Sequence, residues 1–129
     1  MSLKKYAITL YLINLTLLAT HEIDSAYWNE WKLFNLPGGI DFFLIINFLL
    51  LFLFIYGFAR VVTWDKGAFV FSYFLAASGL FAFIVHSYFL WTGHTEFNTI
   101  ISRAILLLIF LVSAAQIIAL LMIYQKKST

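Results

Sequence analysis

Four nearly unbroken apolar runs, at about 6–23, 42–62, 68–91 and 99–124, alternate along this chain with short polar breaks. A hydrocarbon core about 30 Å thick takes roughly 20 helical residues to cross, so each run is long enough to span a bilayer as a helix. The pattern predicts an all-α, polytopic four-helix membrane bundle, a single domain over 1–129. Between the first two runs, residues 24–36 mix Tyr27, Trp28, Trp31 and Phe34 with Glu30 and Lys32. Such a mixture suits the headgroup level, where aromatic rings are half wet, and predicts either a continuation of helix one or a short interfacial helix. Asn35-Leu36-Pro37-Gly38-Gly39 is the strongest turn signal, and Thr63-Trp64-Asp65-Lys66-Gly67 is a second. Asp41, Asp65, and Thr95 or Asn98 are the expected caps of the helices that follow the breaks.

The few polar residues within the runs are patterned. In the third, Ser72, Gly79, Ala82, His86 and Gly93 fall on one side of a helix. Small residues on such a stripe let backbones approach closely inside a membrane bundle, so His86 is expected to point inward. The fourth run carries a weaker stripe through Ser102, Ser113 and Gln116, and the first and second each carry one asparagine, Asn14 and Asn47. No internal repeat is visible, which argues against an inverted-repeat transporter within one chain.

Composition narrows the picture. At 64% hydrophobic and 11% charged, 129 residues cannot hide their apolar surface in a water-soluble core, so lipid is the solvent for most of the chain. Cysteine is absent, which excludes disulfides and thiolate chemistry. The net charge of +2 is scattered over helix ends, makes no basic patch, and gives no reason to expect a nucleic-acid partner. Lys4, Lys5, Arg60, Lys66, Lys126 and Lys127 fall at one set of helix ends, with Asp65 the one acid there. By the positive-inside rule both termini are expected in the cytoplasm. The start, Met-Ser-Leu-Lys-Lys before an apolar run, shows no small-residue cleavage site and is read as a retained first span.

The opposite set of ends gathers all three histidines and five of the six acids: His21, Glu22, Asp24, Glu30, Asp41, His86, His94 and Glu96. Ionisable groups near lipid are expensive and usually kept for a function. Three imidazoles with carboxylates suit a borderline divalent ion, zinc or iron. The expected ligands are His21 and His86, with Asp24 or His94 as a third. Glu22 would be the general base of a metal-dependent hydrolase, acting on water activated by the metal. Asn14 and Asn47 are placed to orient a histidine, and Arg103 to neutralise Glu22 or Glu96. His21-Glu22-Ile23-Asp24-Ser25 begins like H-E-x-x-H, but Ser25 stands where the second histidine is required, so the metalloprotease motif fails. A b-type haem between His21 and His86 is a weaker reading, because no second histidine pair exists and the acids would go unexplained. Two readings compete with the metal site. One is an accessory subunit whose polar end packs against a partner, in a homo-oligomer or a larger membrane complex. The other is an oligomeric pore or transporter lined by Asn14, Asn47, Ser113 and Gln116.

The segment Thr20-His21-Glu22-Ile23-Asp24-Ser25, four residues, then Glu30-Trp31-Lys32-Leu33-Phe34 resembles an uncharacterised family of small four-span bacterial membrane proteins. Their pattern is T-H-E-[LI]-D-[AS], four variable residues, then E-W-[RK]-[IL]-F. The proteins of unknown function named for an HXXEE motif are similar in a broader way. Every patterned position matches, over about a tenth of the chain. The resemblance implies a four-span fold in a bacterial inner membrane. It marks His21, Glu22, Asp24, Glu30 and Trp31 as positions to test, and it implies no activity. Unlike the broader group, this chain has no adjacent Glu-Glu pair, which argues against a di-metal carboxylate site.

Overall fold

The computed structural model describes the backbone of residues 2–128 and side chains as far as Lys126. It is all helical, with no strand among the described residues. Four long helices, α1 (Leu3–Tyr27), α3 (Gly39–Thr63), α4 (Ala68–Trp91) and α5 (Ile100–Ser128), are joined by short connections that carry a one-turn helix, α2 (Glu30–Leu33). Around the bundle α1 packs on α5, α5 on α4, α4 on α3 and α3 on α1. Helices α3, α4 and α5 are long and apolar enough to cross a membrane. Their outward faces expose Phe48, Ile55, Phe81, Ile84 and Ile118, which fits contact with a lipid bilayer. Helix α1 is the polar exception, since Asn14, His21, Glu22 and Asp24 dilute its apolar run.

The caps differ in detail from the sequence expectation. Helix α3 starts two residues before Asp41, with Gly38 (φ 80°) as N-cap and no side-chain cap bond. Asp41 therefore sits in the first turn, where a carboxylate favours the positive end of the helix dipole. Asp65 accepts from the Gly67 N–H at 2.8 Å and pairs with Arg60 at 2.8 Å, so it ties the turn together ahead of α4. At the start of α5 neither Thr95 nor Asn98 is the cap; Thr99 Oγ1 accepts from the Ser102 N–H at 3.0 Å.

Two layers of contact hold the bundle. Tyr11, Leu18, Phe54, Val61, Ala68, Leu75 and Ile109 form a buried apolar cluster, with the Tyr11 hydroxyl donating to the Phe54 carbonyl at 2.8 Å. The second layer is polar and lies mid-bundle. Asn14 Nδ2 donates to Ser113 Oγ (3.0 Å) and to Gln116 Oε1 (2.9 Å), and Gln116 Nε2 donates to the Ser72 carbonyl at 3.0 Å. Buried polar groups must find partners, and here α1, α4 and α5 supply them to one another. Asn14 is thus a packing hub about 10 Å along α1 from His21, two helical turns away.

Candidate metal centre

Helix α1 keeps its register through His21 and Ser25, both buried, and ends at Trp28, whose indole N–H donates to Asp24 Oδ1 at 3.1 Å. Asn29 then adopts a left-handed conformation (φ 54°), which asparagine tolerates better than most residues. That one residue breaks the helix, and α2 begins at once with Glu30. The break brings Glu30 back over the bundle, with 13% of its side chain exposed. From α4, His86 comes up at the same level, its imidazole edge-on to that of His21 with ring centroids 4.5 Å apart.

His21, Glu30 and His86 each present one ligand atom within 4.8 Å of the others. His86 Nε2 lies 3.7 Å from Glu30 Oε1. Its other nitrogen, Nδ1, faces the Ala82 carbonyl at 2.8 Å. A carbonyl can only accept, so Nδ1 carries the proton and Nε2 is the lone-pair nitrogen of the neutral ring. This is how protein-bound metals commonly have their histidines oriented. Ligands 2.0–2.2 Å from a tetrahedral ion lie roughly 3.4 Å from one another, so closing the group on an ion needs a movement of about an ångström.

Three buried atoms here, His21 Nδ1, His86 Nε2 and Glu30 Oε2, have no hydrogen-bond partner in the protein. Leaving buried polar groups unpaired costs about 1–3 kcal/mol each, and more for a charge. Burial is the largest influence on Glu30 and pushes its carboxyl above the usual carboxylate range. Asp24 nearby adds to the rise, while the Ser25 hydroxyl and His86 oppose it.

Phe97 closes the site on the loop side. It is 1% exposed, its ring centroid lies 4.3 Å from that of His86 and 5.6 Å from that of His21, and its φ is 62°. A bulky residue in the left-handed region is strained and persists only where its surroundings hold it. Below the two histidines a cavity of about 450 Å³ runs down between α1, α3 and α4, with Glu22 and Asn47 on its wall.

The other sequence candidates lie elsewhere. His94 is in the α4–α5 loop, 44% exposed and 3.4 Å from Glu96. Arg103 is exposed and donates to Asn98 Oδ1. Asn47 donates to the Phe43 carbonyl at 3.0 Å and stands beside Glu22, away from the role of orienting a histidine. Sequence reasoning placed Glu30 outside the ligand set and did not single out Phe97. The signal for Glu30 was Asn29, a residue apt to break the helix one position earlier.

No curated protein and no solved structure matches the chain. A family match does exist, over residues 7–123. The chain belongs to the Family of unknown function (DUF6713).

Proposed function

We propose that this protein binds one divalent metal ion through His21, His86 and Glu30 and uses it as a hydrolase. One observation carries the reading: three buried side chains of metal-ligating type converge, and each holds a buried atom with no hydrogen-bond partner. Two histidines and one carboxylate are the ligand set of catalytic zinc sites and of non-haem iron sites, which keep a coordination position open. Glu22 lines the adjoining cavity and is the base that would take a proton from the attacking water. Asp24, bonded to Trp28, steadies the end of α1, and His94 stays outside the ligand set. The test is elemental analysis of protein purified without chelators. About one zinc or iron per chain supports the reading. None, in protein that is folded, overturns it in favour of an imidazole–carboxylate packing contact.

Phe97 is the water seal of the site. Phe97→Ala should leave metal content unchanged while the anionic chelator EDTA strips the ion at least tenfold faster, followed by loss of metal over time. An unchanged stripping rate would remove the sealing role.

The chain is read further as a four-span protein with α1 as the fourth span, both termini cytoplasmic, in a bacterial inner membrane. The supporting pattern is the collection of lysines at one set of helix ends. Because the chain lacks cysteine, an introduced one is a unique label. Thr95→Cys should react with an impermeant maleimide in intact cells, and Lys66→Cys only after lysis. The reverse pattern would invert the topology.

A further inference from the structure

The cavity beneath the histidines is long and polar at one end only. On α4 it runs from His86 to Phe74, twelve residues or about 18 Å of helix. One leaflet of a bilayer hydrocarbon core is about 15 Å deep, half of the usual 30 Å. The floor is formed where the Phe54 and Phe74 rings meet, centroids 5.6 Å apart. Ser78, on the wall, turns its hydroxyl onto the Phe74 carbonyl at 2.9 Å, which leaves the lower channel apolar. Phe81 on the rim is 66% exposed, on a helix apolar enough to lie in lipid, so the cavity opens sideways into the membrane. Phe97 packs on His86, and Phe34 and Leu36 line the cavity at the histidine end. The side opening gives a lipid chain direct access.

We infer that the substrate is an acyl-ester lipid of the leaflet on the histidine side. One of its chains fills this channel, and its ester carbonyl sits between His86, Glu30 and Glu22. Three matches select that occupant: a depth of one leaflet, a side opening into lipid, and polar groups only where the ester of a lipid lies. The inference rests on the metal hydrolase reading for its chemistry. The water oxygen bonds to the carbonyl carbon and the bond to the alcohol oxygen breaks. The proton taken up by Glu22 passes to the departing alcohol, so a fatty acid and an alcohol leave with no redox partner needed.

The experiment uses the full chain in liposomes with a lysophospholipid carrying a photoreactive diazirine near the end of its acyl chain. Metal content is measured on the same samples. The inference expects crosslinks concentrated on Phe54, Phe74 and Leu50. Ser78→Phe or Ala77→Phe, which fill the channel, should lower them at least tenfold while metal content is kept; that retention reports an intact fold. Crosslinks scattered over outward residues such as Ile45, Ile55 and Ile84, with metal present, overturn the channel and leave the metal site standing. Crosslinks in the channel with no metal support chain binding and overturn the hydrolase reading. Scatter with no metal overturns both.

Discussion

Replacing His21 and His86 together by alanine should abolish metal binding, with apparent affinity for zinc falling by at least a factor on the order of 100. Loss of an outer-sphere partner alone weakens a protein metal site about 10–100-fold, and here two of three direct ligands would go. The single variants and Glu30→Gln should each fall near the lower end of that loss or beyond it. His94→Ala should retain metal, because its ring is half exposed and faces Glu96. Glu22→Gln should also retain metal, since its assigned part is proton transfer and not ligation. Mass-spectrometric metal content of the purified variants reads all of these at once. A His94→Ala protein that loses its metal, beside a Glu30→Gln protein that keeps it, would overturn the ligand set in favour of a site nearer the loop.

The pH dependence follows from Glu30. Its carboxyl is raised by burial above its ordinary value of 4.5. In the metal-free protein the stability linked to this group is fully present below that ordinary value and is lost as pH rises through the folded one. A bound cation reverses the balance, because the ligating form is the carboxylate and binding must expel the proton. Apparent metal affinity should therefore climb with pH across this window, and binding should release a proton. Titration calorimetry in two buffers of different ionisation enthalpy detects that proton. In Glu30→Gln its contribution should vanish.

The apolar runs announced the helices because a lipid solvent leaves the sequence few alternatives to long helices there. Convergence of His21 and His86 was also legible, since residue count fixes depth along a helix and the small-residue stripe of α4 fixes its inner face. What escaped was decided by single backbone conformations. Glu30 reads as a solvated interfacial charge beside Lys32 until Asn29 is known to turn left-handed and swing α2 back. Phe97 reads as a loop residue because its burial depends on a φ of 62° that no periodicity announces. Asn14 illustrates the opposite failure. Its helical face and spacing from His21 suggested a supporting part in the site, but its amide N–H groups donate to Ser113 and Gln116 two turns away.

Gly79→Leu should unfold or severely loosen the bundle, with a loss of about 1–3 kcal/mol from overpacking and more if the helices separate. A Cβ at Gly79 would run into the Ser113 hydroxyl and Ile109 Cγ2, with Asn14 Oδ1 at 3.4 Å. Helices α4 and α5 approach closely here, at the level of the polar hub. In lipid no hydrophobic force draws helices together, so association depends on such close packing and on interhelical hydrogen bonds. A leucine here attacks both, since moving the Ser113 hydroxyl aside breaks its bond to Asn14. Gly79→Ala should be milder but still costly: its Cβ alone displaces the Ser113 hydroxyl and presses on Ile109 Cγ2, and alanine's helix preference over glycine, about 1 kcal/mol, offsets part of that. Adding Ser113→Ala to Gly79→Ala should recover part of the remaining loss, giving a measurable coupling between the two sites. Thermal unfolding followed by circular dichroism in lipid nanodiscs reads the series. Equal stability of Gly79→Leu and the parent would mean that α4 and α5 do not meet at this glycine. The packing that sets the height of His86 against His21 would then have to come from elsewhere.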